Sequence, residues 1–281
     1  RKMRRKCRTR PPSSWTIRIR SPRSGKVGVQ NGLYDGKHTI VVPSSGNTAH
    51  AVVRLARAFG FTSVKAVMSS DVSSSKAGIL KALASADVMQ VSDVTRTAQE
   101  EAQKPGHYLL DQYKHMGNLN AHQLYTGPEV LNALGDNIAA VAIAMGSGGT
   151  AAGVGRFLKS RIPKVVIIGA RPLLGEQVPG ARDRKKMEAV VTLPWKEVVD
   201  KKIEVSRKES FIGTRKLWSA IEPQPGPTSG LAYRAAIHYL KSLDRKGLEQ
   251  LRGKCVGFIC PDDGRFYSDQ ILSELDTDQG L

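Results

Sequence analysis

Eight consecutive apolar residues, Ile138 to Met145, run directly into Gly146-Ser147-Gly148-Gly149-Thr150. A helix-competent segment, Ala151 to Lys159, follows. An apolar run of that length reads as a buried strand. A strand, a turn of small residues and a helix start together make a cup for anions. The first-turn amides of the helix have no partner inside it, and the helix dipole adds a partial positive charge. Glycines let the main chain approach a phosphate where a Cβ would block it. A glycine-serine run by itself is a weak signal, because many tight turns look the same. Its position between a buried strand and a helix gives it weight.

The same arrangement occurs earlier. Lys37 to Val42 reads as a short strand rich in β-branched residues, and Pro43-Ser44-Ser45-Gly46-Asn47-Thr48 follows it. Ala49 to Phe59 then reads as a helix with Val52, Leu55, Ala56 and Phe59 on one face. Strands are expected at 63–69 and 87–91, with a helix between them capped near Ser73. A polar helix is expected over 97–106, then a short apolar stretch at 108–113 that leads into a loop through Asn120. Thr126 to Leu131 starts a helix with Pro128 in its first turn. Lys164 to Gly169 and Lys254 to Cys260 read as strands, Glu209 to Ile221 and Leu231 to Leu240 as helices, with Ser229 as an N-cap. Strands alternating with helices imply parallel sheets with crossover helices, the α/β class.

At 281 residues the chain can form one large domain or two modest ones. No apolar run approaches the roughly 20 residues that span a bilayer, so no membrane is expected as partner. Cys255 and Cys260 lie in a strand-like run without nearby histidines and read as core residues, not zinc ligands. The histidines have no metal-like or triad-like spacing, and no metal is expected; His50 and His238 read as ordinary helix residues.

Charge is the unusual property. The formal net charge is +18, common in proteins that meet phosphate backbones. Residues 1–26 contain eleven Lys or Arg and no acid. That segment reads either as an extended arm that neutralises RNA or DNA phosphates, or as a solvated tail or remnant of a basic targeting peptide. The arm reading assigns RNA contact to Arg1, Lys2, Arg4, Arg5, Lys6, Arg8 and Arg10. Residues 156–218 hold sixteen Lys or Arg against seven acids. There Arg182, Arg184, Lys185 and Lys186 form either a second phosphate-facing patch or a solvated loop. The chain opens on Arg1 rather than methionine, which agrees with processing or with an import sequence lost upstream. A mitochondrial location is the expectation, with cytoplasm as the alternative.

Five landmarks, in order, resemble the cysteine synthase (O-acetylserine sulfhydrylase) group of fold type II pyridoxal-phosphate enzymes. They are Ser45-Gly46-Asn47-Thr48, Gln112, Thr126-Gly127-Pro128-Glu129, Gly146 to Thr150, and Pro227-Thr228-Ser229-Gly230. The resemblance runs from about Gly32 to Tyr267. It implies two three-layer α/β domains with a cleft between them, like the tryptophan synthase β fold. The expected division is a basic arm over 1–26, an N-terminal domain over 27–120 and a C-terminal domain with the phosphate cup over 121–281. It further implies that Ser45, Gly46, Thr48 and Gln112 hold a substrate carboxylate. Asn47 would reach the cofactor's phenolic oxygen, Gly146, Ser147, Gly148, Gly149 and Thr150 would hold its phosphate, and a homodimer is possible.

Departures from the family pattern shift the expectation. The lysine to which the family bonds its cofactor falls here on Thr16 or Ile17, and neither can form a Schiff base. Where the family has a serine near the pyridine nitrogen, the matching turn offers Asp262, which could keep that nitrogen protonated. Arg171 replaces an acidic residue. The expectation is therefore a non-catalytic relative with no catalytic residue, holding pyridoxal phosphate non-covalently or not at all. Such a relative would contact RNA and neighbouring proteins in a ribonucleoprotein assembly such as a mitochondrial ribosome or its assembly intermediate, where the RNA is ribosomal. The alternative is an active enzyme using pyridoxal phosphate for β-replacement on O-acetylserine or a related activated serine. The chain has 6% aromatic residues and no RNA-recognition motif, so contacts would be to backbone phosphate rather than to bases.

Overall fold

The computed structural model describes residues 39–44, 47–56, 61, 63–70, 78 and 86–276. They belong to two compact units, one ending at Gly117 and the other beginning at Asn118. The arm over 1–26, with its seven candidate RNA contacts and the Thr16 and Ile17 positions, lies outside the described residues. So do Ser45, Gly46 and most of the helix expected after Ser73.

In the first unit, β1 (Thr39–Pro43) is followed by α1 (Asn47–Ala56). Then come β2 (Ser63–Ser69), β3 (Ala86–Val91), α2 (Val94–Ala102) and β4 (His107–Leu109). The sheet order is β3-β2-β1-β4, with every pair parallel. Alternate residues of a strand face opposite sides of the sheet. Ile40, Val42, Val64, Ala66 and Met68 accordingly pack with Val52, Val53 and Ala56 of α1. Val41 and Val67 pack with Ala98 of α2 on the other face. The second helix begins three residues before its expected start, because the Asp93 carboxylate accepts the Arg96 main-chain N–H at 3.0 Å and caps it.

The second unit contains β5 (Ile138–Ala144), β6 (Val166–Pro172), β7 (Lys201–Val205) and β8 (Cys255–Phe258). Its order is β7-β6-β5-β8, again all parallel. Counted within its own unit, each sheet runs third, second, first, fourth. Ala140, Ala142, Ile168, Ala170 and Val205 pack one face against Leu231, Ala235, Ala236 and Tyr239. Those four belong to a long helix, Pro227–Lys241. On the other face Gly155, in the helix Gly149–Arg161, lies against Ile167 and Val198.

The loop expected through Asn120 is instead helical. A helix α3 (Met116–Ala121), a π-helical turn (His122–Thr126) and α4 (Gly127–Leu134) run on without a break. Gly117, Asn118 and Asn120 are poor helix formers, but Asn118 and Leu119 are buried, and tertiary packing overrides local preference. The remaining helices are α5 (Gly149–Arg161), α6 (Arg184–Val190), α7 (Arg207–Trp218), α8 (Pro227–Lys241), α9 (Arg245–Gln250) and α10 (Ser268–Asp276). The strand β7 and helices α6, α9 and α10 had not been expected from sequence. Ser206 and Glu209 close a capping box that starts α7. Ser229 is not an N-cap: α8 already begins at Pro227, after Gly226. Cys255 is exposed and not a core residue, because it opens the edge strand β8. No helix among the described residues is long and apolar enough to cross a membrane.

Candidate active site

In an open parallel sheet, ligands bind beyond the carboxyl ends of the strands, where successive connections leave in opposite directions. Each sheet has one such point. In the first it lies between β1 and β4; in the second it lies between β5 and β8. In sequence, the Ser45 to Thr48 motif follows closely on β1, as Gly146 to Thr150 follows on β5. Topology alone thus picks out both segments that the sequence motifs singled out.

In the second unit, the Met145 N–H donates to the Ala170 carbonyl at 2.8 Å, and the Met145 carbonyl accepts the Arg182 N–H at 2.9 Å. These bonds fix where the cup begins. Gly148 turns the chain with φ +76°, a left-handed conformation suited to glycine, and α5 starts at the next residue. A Cβ on Gly146 would lie 2.5 Å from the Gly180 carbonyl oxygen, and one on Gly148 would lie 2.8 Å from Trp195. A Cβ on Gly149 would overlap the Asn118 side chain. The glycines are therefore needed to pack the cup against its own unit, whatever it holds.

Two side chains that the sequence reading missed hold the cup's hydroxyls. Asn118 Nδ2 donates to Ser147 Oγ at 2.9 Å, and His122 Nε2 lies 3.0 Å from Thr150 Oγ1. His122 Nδ1 lies 2.9 Å from Thr126 Oγ1. Burial lowers the His122 pKa to about 4, so the ring is neutral near pH 7. The spacing of 118, 122 and 126 by four was a legible signal, hidden by the expectation of a loop there.

In the first unit, Thr48 and Gln112 come together. Thr48 Oγ1 donates to Gln112 Oε1 at 2.8 Å, and Gln112 Nε2 donates to the Tyr113 hydroxyl at 3.4 Å. Sheet order explains the pairing: Thr48 follows β1, and Gln112 follows its parallel neighbour β4. Asn47 opens α1.

Asp262 follows β8, the parallel neighbour of β5, and is buried. Its carboxylate accepts the Thr228 N–H at 2.8 Å, the Ser229 N–H at 3.1 Å and the Ser229 hydroxyl at 2.5 Å. Burial pushes its pKa up, and these donors pull it down; the net direction is upward. Asp262 thereby supplies the cap that α8 lacks locally, a structural role independent of any pyridine nitrogen. Arg171 pairs with Glu204 at 3.1 Å across β6 and β7, so the substituted cation has gained its own acid.

Three of the four residues of the basic cluster lie on a short helix rather than a loop. Arg184, Lys185 and Lys186 are exposed on α6, while Arg182 is partly buried beside the cup. Asp183 caps α6, and the Lys186 main-chain N–H at 2.9 Å holds its carboxyl below the usual range. No group of three or more His, Cys, Asp or Glu side chains among the described residues is placed to hold a metal.

Comparison with known proteins agrees with this geometry. The profile of the family described as "Pyridoxal-phosphate dependent enzyme" matches residues 23–260. The chain belongs to the pyridoxal-phosphate dependent enzyme family. It is 30% identical over 223 residues to a cysteine synthase of Helicobacter pylori, covering 75% of this chain and 72% of that one. It is 28% identical over 250 residues to a cysteine synthase of Staphylococcus aureus, covering 85% and 78%. The crystal structure of O-acetylserine dependent cystathionine beta-synthase from Helicobacter pylori superposes with TM-score 0.72 at 29% identity, covering 87% and 82%. The O-ureido-L-serine synthase structure, at TM-score 0.75 and 20% identity over 88% and 80%, shares the fold.

Members of the pyridoxal-phosphate dependent enzyme family use pyridoxal phosphate. The cup's donor set suits its phosphate. The first-turn amides of α5 have no partner within the helix, and the hydroxyls of Ser147 and Thr150 border them. The neutral His122 behind Thr150 brings no competing charge.

Proposed function

We propose that this protein is a cysteine synthase-like, non-catalytic member of its family that holds pyridoxal phosphate without a covalent bond. One observation carries the reading. The chain keeps a phosphate cup, but the position that should supply the bonding lysine is Thr16 or Ile17. When bound, the coenzyme supplies an electron sink for a carbanion beside its ring. The chain's own residues provide binding: α5 amides, Ser147 and Thr150 for the phosphate, with Thr48 and Gln112 set for a carboxylate. Without an activated amine, nothing on this list performs the exchange that loads an amino acid onto the coenzyme.

The proposal extends to the partner. The excess of +18, with eleven cations in residues 1–26, supports contact with RNA inside a ribonucleoprotein assembly. A mitochondrial ribosome or its assembly intermediate fits that charge and the enzyme ancestry. A second reading, an active enzyme catalysing β-replacement on an activated serine, is favoured by the cysteine synthases among the relatives.

Borohydride reduction of the full chain mixed with pyridoxal phosphate, followed by peptide mass mapping, separates the two. The expected result is coenzyme removed by gel filtration and no labelled lysine. A lysine labelled in high yield, together with consumption of O-acetylserine and sulfide, would establish the second reading instead. Retention on an RNA column tests the partner. Replacing Arg1, Lys2, Arg4, Arg5, Lys6, Arg8 and Arg10 by Gln should lower the salt slope of log K by up to about 5 for single strands. An unchanged slope removes the arm from the interface.

A further inference from the structure

The run from Met116 to Leu134 is helical throughout, and only His122–Thr126 is π-helical. A π turn inserts one residue and swings side chains off the α-helical stripe; such turns gather where a side chain has a specific task. Here the turn leaves one imidazole between two hydroxyls, Thr126 Oγ1 on the Nδ1 side and Thr150 Oγ1 on the Nε2 side. The ring has little room to retreat. A Cβ on Gly153 of α5 would lie 2.6 Å from His122 Cβ and 2.7 Å from the Gln123 nitrogen, so the turn sits directly on α5.

A neutral imidazole carries one N–H, so one ring nitrogen donates and the other accepts. Two hydrogen arrangements satisfy both contacts. In the first, Nδ1–H donates to Thr126, and Nε2 accepts the Thr150 hydroxyl hydrogen. Thr150 then has no hydrogen left for an anion. In the second, the Thr126 hydroxyl donates to Nδ1, and Nε2–H donates to Thr150 Oγ1. The Thr150 hydrogen is then free to point elsewhere. The ring has one proton and no net charge in both.

We infer that His122 is a positioning residue for the cup: an anion at the start of α5 selects the tautomer protonated on Nε2, which turns the Thr150 hydroxyl hydrogen toward that anion. The inference rests on the reading of the cup as a phosphate site. It adds that the selectivity of the cup for phosphate is set partly from the π turn behind it. The proton leaves Nδ1 and another arrives at Nε2 by exchange with solvent, so charge and atoms balance.

The test uses the full chain labelled with 15N-histidine and 15N-glycine at pH 7. Two-bond ring spectra report the tautomer of His122, the Gly148 and Gly149 amides report occupancy, and His238, bonded to Glu209 at 2.9 Å, serves as internal control. Pyridoxal phosphate and inorganic phosphate are added separately. Both should move the two amides and raise the Nε2-protonated fraction of His122, leaving His238 unchanged. His122→Leu should weaken pyridoxal phosphate about tenfold, the loss of roughly one hydrogen bond to a charged group. Binding of pyridoxal, which lacks the phosphate, should be unchanged, and His122→Gln should recover part of the loss. If the amides move while the His122 tautomer stays fixed, the inference is overturned and the phosphate cup stands. If neither moves, the cup reading falls and takes this inference with it.

Discussion

Ser229 Oγ donates to Asp262 Oδ1 at 2.5 Å, across 33 residues of sequence. Together with the Thr228 and Ser229 amides, this places a buried carboxylate on the first turn of α8. Removing it should leave the buried Thr228 amide without a partner, while the Ser229 amide keeps its bond to the Gly226 carbonyl at 3.1 Å. Asp262→Ala is therefore expected to cost about 2–4 kcal/mol in urea unfolding, and Ser229→Ala only about 1 kcal/mol, since the amide bonds remain. Equal losses for the two variants would show that the carboxylate has no special part.

Glu101 gives the first unit a pH dependence. Lys104 and Lys65 donate to its carboxylate, at 2.5 and 2.9 Å, and lower its pKa to about 2. An unfolded glutamate titrates near 4.3. The depressed folded value means that the contribution is present above that pH and is lost as pH falls from about 4.3 to about 2. Lys104 is half exposed, and solvent weakens its share. Glu101→Gln should destabilise the protein by about 1–2 kcal/mol at pH 7, and the gap should close near pH 2. A gap that stays constant with pH would remove charge as its cause.

Gly148 and Gly253 have nearly the same φ, +76° and +78°, but different surroundings. A Cβ at Gly253 meets nothing within 4 Å; at Gly148 it meets Trp195. Alanine at Gly253 should cost about 1 kcal/mol of backbone strain alone. Alanine at Gly148 should cost about 2–4 kcal/mol, because the collision adds to the strain. Thermal unfolding of both variants checks the difference.

Arg171 and Glu204 face each other on neighbouring strands. Arg171→Glu, which restores an acid of the family type, should place two like charges together and destabilise by about 1 kcal/mol. Adding Glu204→Arg should recover most of that loss in a double-mutant cycle. No recovery would mean that the pair does not interact.

How far the sequence could be read depended on whether the decisive forces were local. The strands β1, β2, β5 and β6 are rich in β-branched and other apolar residues, with buried side chains on both faces, and small residues follow β1 and β5 in sequence, so periodicity and turn chemistry found them. The strand β7 was missed because Lys201, Lys202 and Glu204 gave it the composition of a solvated loop; it lies at the sheet edge, with Lys201 and Lys202 exposed. The α3 helix was missed because its stability comes from burying Asn118 and Leu119 rather than from its own residues. Ser229 looks like a cap in sequence because local residues cannot show a capping carboxylate supplied by Asp262, well beyond the helix and after β8. The strand, small-residue turn and helix around Gly146 to Thr150 were legible; Asn118 and His122 were signalled only by their spacing of four, which the expectation of a loop hid.

Each four-stranded sheet takes all its strands from one contiguous stretch of chain, before Gly117 or after Asn118. Among the described residues no strand is borrowed across that junction. Melting one sheet therefore breaks no main-chain ladder in the other, and amide exchange measured strand by strand is expected to sort into two populations with separate opening energies.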